Sequence, residues 1–359
     1  FSIDLSGCGK KTAVDPNANK LIVWSFEDED AWKSIKKSFE SSNKGYTLVY
    51  QKQILDSTYE NRVLNSILSG QGPDVWSMPN DWVYRHKEKL APMPAKLGEI
   101  IKIDNFVPAV KQSVFFDNNV YALAPSVEPL MVYYNPKLFS KTYDEIQESD
   151  VDEEIKKSAN TLLESPPALW SDLVKTANLL TKKEGGKITV SGLALGTENI
   201  TNSIDILYLL MLQNSTDILS SDGKLATFNL SKEISTGTKD IPGQRAIDFY
   251  TSFANPASSN YTWDDSLGND IEAFANGKLA MIFGFSNLQN TLLQKYPTIN
   301  YKKDYAPQLY GDADKITDFA RFNAFGVSAL SKNSALGWNL LSGLVSDYQD
   351  DLNSFSRLY

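Results

Sequence analysis

The chain has 359 residues, 42% of them apolar and 22% charged, which is enough for two ordinary globular domains. Its formal net charge of −9 excludes the Lys/Arg-rich surface that nucleic acid requires. One cysteine and one histidine exclude intrachain disulfides, cysteine-based zinc sites and multi-histidine chemistry, and neither a cofactor nor a metal is expected.

The lone cysteine comes first in chain order. Leu5-Ser6-Gly7-Cys8 is the pattern that bacterial lipoprotein processing cuts and acylates, so Cys8 is expected to carry lipid and residues 1–19 to be a signal remnant and polar leader. Asp4 is out of keeping with the apolar region that precedes such a site. No run approaches the roughly 20 apolar residues that span a bilayer, so membrane attachment is expected through this anchor alone.

Leu21-Ile22-Val23-Trp24 reads as a strand entering the acidic stretch Glu27 to Asp30, where carboxylates favour the start of a helix. Trp32, Ile35 and Phe39 then recur at helical spacing. Tyr46 to Ile54 reads as a second strand, Tyr59, Val63, Leu64, Ile67 and Leu68 as a helix closed by Gly70, and Pro73 to Met78 as a third strand. This alternation predicts a parallel sheet with helices on its faces. Ligands gather beyond the carboxyl ends of such strands, which makes the loops holding Phe26, Glu27, Asn80, Asp81 and Trp82 candidate site elements.

Val120 to Ala124 and Leu130 to Tyr134 are extended runs flanking Pro125 and Pro129, and they read as the passage into a second domain. Residues 140–166, acidic from Asp144 to Glu154 and ending at Pro166-Pro167, read as a solvated helical insertion. A helix from Leu169 through Leu180, a turn at Gly185-Gly186, a strand from Ile188 to Leu195, and helices over Ile204–Leu212 and Ala246–Phe253 follow. Asp312, Asp314 and Asp318 lack the turn glycine and terminal glutamate of a calcium loop and read as a solvated turn.

Several local patterns together carry a family resemblance. The most specific runs from Phe274 through Asn276-Gly277-Lys278-Leu279-Ala280-Met281 to Phe285-Ser286-Asn287. Asp117 to Ala124, Tyr133 to Phe139, Pro167 to Leu173, Gly72 to Val75 and Phe325 to Leu330 accompany it in order. Across roughly residues 20 to 350 the chain resembles the extracellular solute-binding proteins of ABC importers, in particular the sugar-binding group that includes maltose-binding protein.

The resemblance implies an α/β, periplasmic-binding-protein-like fold, with two lobes joined by crossing hinge segments and a ligand cleft between them. It places the first lobe at 20–127 and 310–359, the second at 132–306, and the hinges near 128–131 and 307–309. Carried over by position, Asp81, Glu128 and Glu198 match polar ligand contacts, and Phe285 lies near the family's stacking aromatic, its loop being shorter than in maltose-binding protein. The implied partners are a small sugar and the permease subunits of an ABC transporter, with a monomeric, non-enzymatic receptor held on the outer face of the bacterial membrane or in the periplasm. It also implies further helices after Tyr359 and a shorter link than 140–166.

A sugar presents hydroxyls that need donors and acceptors and flat C–H faces that pack on rings. The candidate loops supply Asp81, Glu128, Glu198, Ser286, Asn287, Arg321 and Asn323 for the hydroxyls, with Phe26, Trp82, Phe285 and Phe322 for the faces. Trp24 reads as core, and Arg321 equally as half of a structural ion pair. A glycoside hydrolase would need two carboxylates about 5 to 10 Å apart across a scissile bond, and no pair in the sequence has a distinguishing setting. A polyamine or peptide receptor of the same fold is the other alternative.

Overall fold

The computed structural model describes residues 19–220, 223–235, 237–311 and 316–346. Cys8, the leader to residue 18, Asp312 and Asp314 lie outside them. The chain forms two compact units, the first from residues up to Val127 together with those from Phe322, the second from Glu128 to Arg321.

The first unit opens with Lys20–Ser25 (β1), Glu29–Ser42 (α1), Thr47–Lys52 (β2), Tyr59–Leu68 (α2) and Val75–Pro79 (β3). The α1 helix carries Glu29 and Asp30 in its first turn and buries Ala31, Trp32, Ile35 and Phe39, an apolar stripe at helical spacing. Short pieces follow: Trp82–Arg85 (α3), Ala95–Gly98 (α4), Pro108–Val114 (α5), the two-residue strands Phe115–Phe116 (β4) and Asn119–Val120 (β5), and Ala122–Leu123 (β6).

The second unit begins with Glu128–Pro129 (β7), Met131–Tyr134 (β8), Pro136–Glu148 (α6) and Glu153–Leu162 (α7). It continues through Trp170–Leu180 (α8), Lys182–Glu184 (β9), Lys187–Leu193 (β10), Ser203–Gln213 (α9), Lys232–Ser235 (β11), Thr238–Asp240 (β12) and Pro242–Ser252 (α10). Asp270–Ala275 (α11), Leu279–Gly284 (β13), Ser286–Lys295 (α12), Lys302–Tyr305 (β14) and Ala320–Arg321 (β15) complete it. Gly277 turns the chain from α11 into β13 at φ +70, a left-handed conformation that glycine adopts without penalty. The sheet runs β14-β8-β13-β10-β9, and its covered strand β13 is buried at every position.

The chain then returns to the first unit as Asn323–Val327 (β16) and Ser334–Ser346 (α13). The first sheet runs β2-β1-β3-β16-β6. Its β1, β2 and β3 are parallel as the alternation predicts, whereas β16 lies antiparallel to both β3 and β6, so the sheet is mixed. Trp338, Leu340, Leu341 and Leu344 of α13 are buried.

Two expectations are corrected. Residues 140–166 are helical but not merely solvated: Thr142, Ala159 and Leu163 are buried, α6 and α7 pack on α8, and Gln147 Nε2 donates to the Lys156 carbonyl at 3.0 Å. The apolar residues interleaved with the acidic ones at helical spacing are the reason. The second crossing lies at 321–322 rather than 307–309. Gln308 exchanges backbone hydrogen bonds with Ala168 at 2.7 Å and Trp170 at 3.1 Å, and Leu130 donates to the Phe319 carbonyl at 2.8 Å, so residues 307–321 belong to the second unit. Among the described residues no helix is long and apolar enough to cross a membrane.

Candidate functional site

In the first unit, Val23 pairs with Val75 across parallel β1 and β3, so both strands release their loops at the same sheet edge. Asn323 of β16 lies opposite Pro79, and the Asn80 N–H donates to the Phe322 carbonyl at 3.1 Å, which brings the start of β16 to that edge. Phe26, Glu27, Asn80, Asp81, Trp82 and Asn323 therefore share one end of the unit. The rings form a layer over buried Tyr59: Phe26 meets it edge-on at 5.0 Å, Trp82 stacks on it at 6.1 Å, and His86 supports Trp82 at 6.0 Å. The Tyr59 hydroxyl donates to the Ser77 carbonyl at 2.8 Å, and burial pushes its ionisation upward.

The polar groups at this edge divide in two. Glu27 is only 6% exposed and accepts a hydrogen bond from Ser25 Oγ, so it braces the loop, contrary to its expected place on the ligand side. Asp81 is exposed, and among the described residues its carboxylate has no hydrogen bond or ion pair. The half-buried Asn323 side chain is likewise uncommitted, and Asn80 Nδ2 makes only a long contact of 3.5 Å to Ser113 Oγ. Trp24 is half-buried within β1, beside Trp76 in the sheet.

In the second unit, parallel β10 and β13 end on one edge, and antiparallel β8 begins there, with Gly284 paired to Met131. Asn202, itself at φ +62, donates from Nδ2 to the Phe283 carbonyl at 3.4 Å and ties the loop carrying exposed Glu198 to the same edge. Ser286 and exposed Asn287 open α12 directly after β13. Glu128 and Arg321 face each other in the β7–β15 ladder.

Arg321 does not pair with Glu128. Its guanidinium lies 5.2 Å above the centre of the Phe285 ring and places Nη2 2.6 Å from Asp205 Oδ1, a close ionic contact without in-line hydrogen-bond geometry. Phe285 is thereby covered, at 3% exposure, and Phe319 packs on it at 6.4 Å. It supports the site from beneath and is not the open stacking surface expected; the ring offered to solvent is Tyr208, 39% exposed and stacked on Phe319 at 5.9 Å. Phe322 is also buried.

Burial raises the Glu128 carboxyl above its ordinary value, and the neighbouring Ser286 hydroxyl, close but outside hydrogen-bond geometry, opposes the rise. Burial also raises Asp205, against the pull of the Arg321 charge. Asp205, Tyr208 and Phe319 escape a sequence reading. A single acid inside the apolar run Ile204–Leu212 is the one signal that could have found them, because a buried carboxylate requires a partner. Among the described residues no three His, Cys, Asp or Glu side chains come together to hold a metal. Cavities of about 480 Å³ beside α6 and α7 and of about 700 Å³ at the amino ends of β1 and β3 are lined by other residues.

The sequence matches the family of bacterial extracellular solute-binding proteins over residues 34–350. The chain belongs to that family. A maltotriose-binding protein from Pyrococcus abyssi is 23% identical over 139 residues, a stretch covering 36% of this chain and 30% of the relative's length. Among solved structures, the sugar-binding protein MalE of Xanthomonas citri superposes with a TM-score of 0.70 at 15% identity, over 94% of this chain and 77% of that one. The cyclic α-maltosyl-1,6-maltose-binding protein of Arthrobacter globiformis gives 0.68 at 17% identity, over 94% and 78%. These establish the fold of this solute-binding protein as the periplasmic-binding-protein-like one, with each unit an α/β lobe.

Proposed function

We propose that this solute-binding protein is an extracytoplasmic receptor that captures a sugar or short oligosaccharide and delivers it to the permease of an ABC importer. The observation that carries this reading is the pairing, on each unit, of uncommitted polar side chains with aromatic rings at the ligand-side edge of its sheet. Asp81 and Asn323 stand beside Trp82 and Phe26, and Glu128 and Ser286 beside Tyr208 and Phe319. Fixed acceptors and donors orient hydroxyls, and rings receive the C–H faces of a pyranose. The relative from Pyrococcus abyssi and both structural neighbours carry sugar names, which supports the same class.

The protein acts by binding, without turnover. A thermal-shift screen against mono- and oligosaccharides, polyamines and peptides tests this, because a ligand present at 100 times its dissociation constant adds about 2.7 kcal/mol to stability. Stabilisation by a sugar that is recovered intact is the expected result. Stabilisation only by a polyamine or peptide, or cleavage of the stabilising sugar, overturns it. Lipid attachment at Cys8 places the receptor on the outer face of the membrane. Labelling with palmitate in a bacterial host is expected for the parent and lost in Cys8→Ala, and equal labelling of both overturns that placement.

A further inference from the structure

Asp205 is 2% exposed in the first turn of α9, whose other buried positions are Ile206, Leu209, Leu210, Met211 and Gln213. A carboxylate in such surroundings is costly unless a cation compensates it. Arg321 does so at 2.6 Å while leaving more than half of its own side chain exposed. The same helix grips the strand twice, because Tyr208, three residues after Asp205, stacks on Phe319, two residues before Arg321. Phe285 supports the guanidinium from below, and Glu128, its ladder neighbour, is left without it.

We propose that Asp205 is a specificity-determining residue: it cancels the charge of Arg321 and fixes its orientation, so that the exposed guanidinium serves uncharged hydroxyls and disfavours anionic ligands. This rests on the carbohydrate reading of the second unit's edge and deepens it. A guanidinium presents a planar fork of N–H donors whether or not its charge is cancelled, and that fork suits adjacent hydroxyls. An uncompensated guanidinium at a half-exposed site binds carboxylate or sulfate in bidentate fashion, whereas one already facing a buried carboxylate offers a second anion little.

The test compares the parent with D205N and with the double variant D205N/R321Q. R321Q alone strands a buried charge and costs stability, so the double variant, which removes both charges, carries the comparison. Sodium sulfate is titrated first, followed by neutral and uronic-acid oligosaccharides of equal length. D205N is expected to gain about tenfold in sulfate affinity and to shift the neutral-to-acidic preference by about tenfold or more, as charge-assisted pairs are worth. The double variant loses both gains, a pattern that a merely structural Asp205 would not produce. Unchanged sulfate affinity in D205N, or a gain that survives in the double variant, overturns the proposal, as does a parent that prefers the acidic sugar. If no sugar binds and another solute does, the carbohydrate reading fails, while the sulfate comparison still decides the role of Asp205.

Discussion

Asp81 and Glu27 follow neighbouring parallel strands, yet only Asp81 has a carboxylate to spare. Glu27 is turned inward and accepts a hydrogen bond from Ser25 Oγ, so removal of its carboxylate should loosen the fold. Asp81→Asn should leave the melting temperature unchanged and weaken ligand binding by about tenfold or more, since a hydrogen bond to a charged group is worth about 1.5–3 kcal/mol. Isothermal titration with the ligand found by the thermal screen decides it, and undiminished affinity removes Asp81 from the site. Glu128 tests the opposite balance. Its carboxyl is raised in the folded state by burial, so at neutral pH the ionised form costs stability, and the cost disappears as pH falls through the folded value. Glu128→Gln should therefore melt higher than the parent at pH 7, with the difference closing in acid, while its ligand affinity drops. A variant that melts lower at pH 7 would show that the carboxylate is compensated in some other way.

Elements differed in how far their sequences disclosed them. The α1 and α2 helices and the β1 and β3 strands follow from spacing alone because each buries one stripe or both faces in the simplest way. Even so, the partner and direction of β16 could not be read, since a buried five-residue strand carries no mark of whether its neighbour runs with or against it. In the site, the loops were legible as loops, and Asp81 and Glu128 as polar residues within them. The covering of Phe285 was not, because it depends on an arginine 36 positions later and an acid 80 positions earlier. The described residues 307–311 and 316–319 belong to no helix or multi-residue strand, and their long-range backbone bonds tie them to the second unit. A glycine inside β10 shows how closely an element can be fitted: a Cβ on Gly192 would stand 1.9 Å from the Ala177 carbonyl oxygen of α8. Gly192→Ala should cost about 1–3 kcal/mol by forcing α8 away from the sheet, read as a lower urea midpoint. An unchanged midpoint would mean that the helix shifts freely.

At the scale of the whole molecule, the two units are unequal in chain continuity. One large apolar cluster, running from Leu130 to Ala306, is made entirely of residues from the second unit. A fragment of residues 128–321 should accordingly fold alone and melt cooperatively by circular dichroism, whereas residues 19–127 alone should not, because β16 separates β3 from β6 in the first sheet. A cooperative melt of the 19–127 fragment would show that β16 is dispensable. The position of β16 also has a consequence in time. About 200 residues are polymerised between Val127 and the end of that strand, a delay of roughly 10–40 s at ribosomal speeds of about 5–20 residues per second. Throughout that interval β3 stays open along one edge and β6 has no sheet partner, so the first unit waits as an unfinished sheet while the second is being made.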